Sequence, residues 1–202
     1  MKKLVVIAAT CALFGSATAA LAAGDAAAGK AKSATCAACH NADGNSANPQ
    51  YPKLAGQGEG YLLKQLQDYK SGARVNAIMA GMVAPLSPQD MEDLSAYYAS
   101  QQIARGAADP ALAPVGEAIF RGGNLNSGVS ACMACHGPNG AGIPAAKFPA
   151  IAAQHAEYTE LQLKAFRAME RANDAGQMMR SIASKMTDAE IKAVSSYIQG
   201  FQ

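Results

Sequence analysis

Cys36-Ala37-Ala38-Cys39-His40 returns as Cys132-Met133-Ala134-Cys135-His136, 96 residues further along a chain of 202. Cys-x-x-Cys-His is the attachment signature of a c-type haem, and two copies imply two covalently bound c-type haems. The spacing follows from helical geometry: residues i and i+3 share a face, so both sulfurs meet one edge of a porphyrin and form thioethers with its vinyl groups. The following His is then close enough to place an imidazole nitrogen on the iron. A redox disulfide or half of a zinc site also uses Cys-x-x-Cys. Neither needs an adjacent His, and zinc pairs usually recur within a few tens of residues.

The halves around the two motifs align as one unit written twice. Tyr51-Pro52-Lys53-Leu54-Ala55-Gly56-Gln57 matches Phe148-Pro149-Ala150-Ile151-Ala152-Ala153-Gln154 at an offset of 97. Tyr61, Gln65, Leu66 and Tyr69 match Tyr158, Gln162, Leu163 and Phe166 at the same offset, and Arg74-x-Asn76 matches Arg171-x-Asn173. Three extra residues in the second half then move the offset to 100. There Ser87-Pro88-Gln89-Asp90 matches Thr187-Asp188-Ala189-Glu190, two capping boxes with Pro88 at N1. The helices they open carry Met91, Leu94 and Tyr98 in one half and Ile191, Val194 and Ile198 in the other, an i, i+3, i+7 stripe that lies on a core. Each half reads as an N-terminal helix, an attachment turn, a loop, a middle helix, a Met-bearing loop and a capped C-terminal helix, with no strand pattern. Residues 103–114, Ala-rich with Pro110 and Pro114, read as a short, stiff linker.

Met1-Lys2-Lys3 and the apolar run Leu4–Ala9, followed by Ala20-Leu21-Ala22, predict a secretory signal peptide over residues 1–22, cleaved after Ala22. Cys11 falls in its apolar region; a lipid anchor there would leave that region very short. The two halves are then residues 23–104 and 105–202. Export to the periplasm suits a c-type haem, which is attached outside the cytoplasm. The net charge of +2 rests on Lys2 and Lys3; without them 15 basic residues face 15 acidic ones. No basic stripe exists, which excludes nucleic acid as a partner. Aromatic residues make up 6% and Trp is absent, so two small cores would be marginal without a buried porphyrin.

Each iron takes one His from its motif, His40 or His136, and its other axial position separates electron transfer from catalysis. His155 is the remaining His, but its counterpart is Gly58, so it is not a shared ligand and is assigned a surface or structural role. Nine Met residues occur, and most Met simply fills cores. An offset of 100 pairs Met79 with Met179, Met82 with Ile182 and Ile78 with Met178, so only Met79 and Met179 carry a thioether in both copies. Pro52 and Pro149 could present carbonyls to the imidazole N–H groups or serve as plain turn residues. Arg74 and Arg171 could neutralise propionates or simply be solvated.

Gly24-Asp25, Asp43-Gly44-Asn45-Ser46, the stretch from Tyr51 to Glu59, Tyr61-Leu62-Leu63-Lys64-Gln65-Leu66, Ala108-Asp109-Pro110-Ala111-Leu112 and Ser195-Ser196-Tyr197-Ile198-Gln199-Gly200 resemble the cytochrome c4 family across residues 23–202. The segment Arg74–Ile78 is shorter than in that family. The resemblance implies an all-α protein of two tandem class I cytochrome c domains, each wrapped around a covalent haem. It implies His–Met ligation by His40 with Met79 and His136 with Met179. It further implies a periplasmic electron carrier, soluble or loosely attached to a membrane, between a quinol-oxidising cytochrome bc complex and a terminal haem–copper oxidase. Two rival readings are a relay subunit of a periplasmic dehydrogenase complex and a dihaem peroxidase; the latter needs an open axial site.

Overall fold

The computed structural model describes residues 24–201, so the signal-peptide expectation and Cys11 lie outside the described residues. Two helical halves follow one another. The first holds α1 (Ala26–Lys32), α2 (Ala34–His40), α3 (Glu59–Ser71), α4 (Ala77–Val83) and α5 (Pro88–Ala99); the second holds α6 (Ala113–Gly122), α7 (Met133–His136), α8 (Ala156–Arg167), α9 (Met178–Ala183) and α10 (Asp188–Gln199). Extended pairing among the described residues is confined to two isolated bridges, Asn124 with Val129 and Ile143 with Phe148. None of these helices is long and apolar enough to cross a membrane.

Both expected capping boxes form: Ser87 and Thr187 accept from the backbone of Asp90 and Glu190, whose carboxylates accept from the cap residues in return. The stripes they launch are buried, Met91, Leu94 and Tyr98 on α5 and Ile191, Val194 and Ile198 on α10. Each C-terminal helix crosses its N-terminal partner, α5 on α1 and α10 on α6, and the middle helices pack on the C-terminal ones, α3 on α5 and α8 on α10. The crossings are closer than any side chain permits. A Cβ on Gly29 would sit 2.0 Å from the Asp93 carbonyl oxygen, and one on Gly116 would sit 2.2 Å from that of Ala193.

Two segments differ from their sequence reading. The Met-bearing loops contain short helices, α4 and α9, because in the first half Asn76 caps α4 by accepting the Met79 N–H at 2.9 Å, a favoured N-cap interaction. The linker ends early, since α6 begins at Ala113 with Pro114 in its first turn. What remains is tied to both halves: Ala104 N–H donates to Asn45 Oδ1, Lys53 Nζ donates to the Ala104 carbonyl, and Asp109 N–H donates to Ser196 Oγ.

The repeated residues also build the contact between the halves. Arg74, expected at a propionate or in solvent, is buried and donates to Gln65 of its own half and to Tyr158 Oη and Gln162 of the other, at 2.8–2.9 Å. Arg171 does the same in mirror sense, donating to Gln162 at 2.9 Å, Tyr61 Oη at 3.0 Å and Gln65 at 3.2 Å. Their guanidinium groups lie over the Tyr69 and Phe166 rings at 4.8 and 4.5 Å, within the range of a cation–π contact. His155 has the structural role assigned to it: its Nε2 donates across the contact to the Ser46 carbonyl at 2.9 Å.

Candidate haem sites

In the first half α2 carries the whole attachment motif, and its helical turn puts Cys36 and Cys39 on one wall of a cleft. That cleft is lined by Thr35, Cys36, Cys39, His40, Tyr51, Asn76, Ile78, Met79 and Met82. The structure therefore brings together Cys36, Cys39, His40 and Met79, which lie up to 43 residues apart in sequence. Met82 and Ile78 share the wall with Met79. In the second half α7 carries the motif from Met133 to His136, with Cys132 as its N-cap. Cys132, Ile151 and Met179 pack against one apolar cluster that includes Ile119, Phe120, Leu163 and Ile191. Met178 turns outward and is 40% exposed.

Both motif histidines are buried. His40 Nδ1 lies 2.9 Å from the Pro52 carbonyl oxygen, and His136 Nδ1 lies 2.9 Å from that of Pro149. A carbonyl only accepts, so each Nδ1 carries the proton and each Nε2 keeps its lone pair. Burial pushes both imidazoles below their ordinary pKa, which holds them neutral. A neutral ring with its N–H fixed on a carbonyl and its other nitrogen free is the form a metal ligand takes. Of the two readings of Pro52 and Pro149, the carbonyl-presenting one is realised in both halves.

The cysteines do not suit the rival chemistries. Burial raises the Cys36 thiol and pushes Cys132 up to about 11, whereas a reactive dithiol needs a lowered pKa. All four are unpaired, and the described residues contain no group of three or more His, Cys, Asp or Glu that could hold zinc. Apolar walls, paired cysteines on one helical face and a pre-oriented neutral imidazole fit a covalently attached haem in each half.

Sequence reading missed the residues behind those prolines. The Lys53 N–H donates to Gln154 Oε1 at 2.8 Å, and Gln154 Nε2 donates to the Lys53 carbonyl at 2.9 Å. Gln57 repeats this on Ala150, with both bonds at 2.8 Å. The signal was present, since Gln57 and Gln154 align. Nothing in a repeat, however, says that each copy serves the opposite half.

Comparison with known proteins agrees with this architecture. The cytochrome c family model matches twice, over residues 26–102 and 116–202. Cytochrome c4 of Pseudomonas aeruginosa is 54% identical over 180 residues, covering 89% of this chain and 90% of that protein. The crystal structure of reduced recombinant cytochrome c4 from Pseudomonas stutzeri superposes with a TM-score of 0.87 at 53% identity, covering 89% of this chain and all of that one. A thiosulfate dehydrogenase electron acceptor from Thiomonas intermedia is 39% identical over 175 residues, 83% of this chain and 78% of that protein.

Proposed function

This chain belongs to the cytochrome c4 family of dihaem electron-transfer proteins, each half binding its haem through Cys36 and Cys39 or Cys132 and Cys135, and we propose that it is a periplasmic carrier between respiratory complexes. In this reading residues 1–22 are removed on export, and residues 23–104 and 105–202 form the two domains. The donor is a quinol-oxidising cytochrome bc complex, the acceptor is a terminal haem–copper oxidase, and any membrane association is peripheral. When bound, each haem supplies one reversible electron at a potential set by its axial ligands and surroundings.

The chain's own residues would hold each haem and shield its iron from water. We assign His40 with Met79, and His136 with Met179, as the axial pairs. The observation that carries this is the same arrangement made twice: a buried neutral His fixed through Nδ1 on a proline carbonyl, with a partly buried Met supplied by the short helix of the same half. A thioether in each half would occupy the axial position that a peroxidase leaves open. The oxidised protein is expected to show the weak far-red charge-transfer band of a ferric–Met bond. Met79→Ala and Met179→Ala should each remove about half of it and open one site to carbon monoxide on reduction, because the axial ligand sets access to the iron. Met82→Ala and Met178→Ala should do neither; loss of the band in Met82→Ala would transfer the ligand role to Met82.

A bound relay in a dehydrogenase complex is the second reading, favoured by the Thiomonas intermedia relative named as an electron acceptor of thiosulfate dehydrogenase. Isolation under mild conditions separates the two. Copurification with a dehydrogenase subunit in stoichiometric amount would favour the relay, and a freely exchanging dihaem protein would favour the shuttle.

A further inference from the structure

The peptide group that joins Pro52 to Lys53 is hydrogen-bonded at both ends. Its carbonyl oxygen accepts from His40 Nδ1 at 2.9 Å, and its N–H donates to Gln154 Oε1 at 2.8 Å. The peptide group joining Pro149 to Ala150 does the same between His136 Nδ1, at 2.9 Å, and Gln57 Oε1, at 2.8 Å. Gln154 lies in the second half and Gln57 in the first, so each imidazole is linked through one amide to a side chain of the other half.

The glutamines are well fixed for this. Both are buried. Each follows a residue in the left-handed region, Gly56 at φ 68° and Ala153 at φ 59°. Those residues are anchored in turn to the C-terminal helices, Gly56 N–H on the Tyr98 carbonyl at 3.0 Å and Ala153 N–H on that of Ile198 at 2.9 Å. Each glutamine Nε2 also returns a bond to the facing carbonyl, of Lys53 or Ala150, so the amide is held at two points and its orientation is determined.

We infer that Gln57 and Gln154 are crossed tuning residues, each setting the strength of the histidine hydrogen bond, and so the reduction potential, in the half to which it does not belong. This rests on His40 and His136 being the axial ligands. An amide whose N–H donates places more negative charge on its oxygen and becomes the better acceptor; such chains strengthen each bond by about 10–30% in condensed phases. A stronger acceptor draws the Nδ1 proton, gives the imidazole more anionic character and makes it the more basic ligand. The ferric state gains most from that, so the clamp lowers the potential. Breaking the clamp raises it, in the opposite half.

The test uses the intact dihaem protein. Potentiometric titration, with each haem followed by its own hyperfine-shifted NMR resonances, is applied to Gln154→Met and Gln57→Met, which keep side-chain bulk but lose the amide. Gln154→Met should raise the potential of the first-half haem and leave the second unchanged, and Gln57→Met should do the reverse. Tyr158→Phe removes an Arg74 bond across the same contact without touching either peptide, and should shift neither. A shift in the half that carries the substitution, equal shifts in both, no shift, or an equal effect of Tyr158→Phe would each overturn the inference. Ring resonances of ¹⁵N-labelled His40 and His136 in the unsubstituted protein keep the two readings apart. Their absence from the hyperfine-shifted region removes the ligand assignment, whereas their presence with unmoved potentials removes the clamp alone.

Discussion

In the first half, Gly29 brings α1 onto α5 at Asp93; in the second, Gly116 brings α6 onto α10 at Ala193. Around these equivalent crossings the side chains differ in kind. Asp93 is buried and accepts from the Asp25 N–H and from Gln89, both at 2.9 Å, and from Lys32 at 2.6 Å. At the matching place Ala193 offers nothing polar, and Phe120 is wholly buried instead, edge-on to Phe201 at 4.8 Å and tilted on Tyr197 at 5.7 Å. The residue matching Phe120 is Ser33, whose hydroxyl donates to the Lys30 carbonyl at 2.8 Å. The two halves thus keep the backbone distance and replace what secures it, charge and hydrogen bonds in one and aromatic packing in the other. What the fold preserves is the close approach of the N-terminal and C-terminal helices.

The crossing glycines should be the most sensitive positions. Gly29→Val and Gly116→Val each drive a Cβ into backbone that cannot step aside, so each is expected to exceed the roughly 1–3 kcal/mol of ordinary overpacking. Covalent haem counted by mass spectrometry should fall from two towards one per chain in either variant. Gly58→Ala, where a Cβ would meet nothing within 4 Å, is the control. If Gly29→Val retains both haems and its thermal stability, the close crossing is not what holds the first half together.

Next in size is the exchange of Phe120 for Ser33. Phe120→Ala empties a fully enclosed aromatic site and should cost about 3–5 kcal/mol. Ser33→Ala removes one hydrogen bond, a loss of about 0.5–1.5 kcal/mol. Chemical denaturation followed by the signature of each haem should show the second half melting early in the first variant and the first half only slightly weakened in the other. Equal effects would mean that the two cores are secured alike after all.

Much of this was legible in the chain. Cys-x-x-Cys-His fixes the haem anchors, the capping boxes at Ser87 and Thr187 fix the C-terminal helices, and their periodic stripes fix the buried faces. Pro52 and Pro149 stood out because they follow each His at nearly the same distance. Gln57, Gln154, Arg74 and Arg171 were equally visible as repeats, yet their place was not. Two copies meeting about a pseudo-two-fold axis use the same residues twice, so an interface residue repeats just as faithfully as a core residue does. Arg74 could be read as solvated or propionate-bound because nothing local announces Tyr158 and Gln162, more than 80 residues away. Gly29 and Gly116 carry no local signal at all, since the need for them arises from helices that meet only in the folded chain.

The smallest expected effect depends on pH and concerns the crossing of α1 on α5; Asp188 and Glu190 of the second half are also held below the usual carboxylate range, but by Arg167, Thr187 and Asn124 rather than by α6. Lys32 holds the Asp93 carboxylate at a pKa of about 2, aided by the Asp25 N–H and Gln89, and with Ser87 it also holds Asp90 well below the usual carboxylate range. An unfolded aspartate titrates near about 3.9. Because the folded value is depressed, the contribution is complete above the unfolded pKa and disappears as pH falls from about 4 towards 2. Asp93 faces α1 through Asp25 and Lys32 and its own helix through Gln89 and Asp90, and the corresponding Ala193 has nothing to protonate. Acidification should therefore loosen α1 from α5 before α6 leaves α10. Hydrogen exchange of the α1 amides should quicken over that window while the α6 amides stay protected. Asp93→Asn should remove the Asp93 share of this dependence and leave that of the Asp90–Lys32 pair, at a modest loss near neutrality that shrinks with added salt, as expected for an ion pair with a partly exposed lysine. If α1 and α6 exchange in step through the titration, or if Asp93→Asn keeps the wild-type acid profile, the charge-secured and ring-secured crossings are not distinct in energy, and the difference between the halves is one of side-chain identity only.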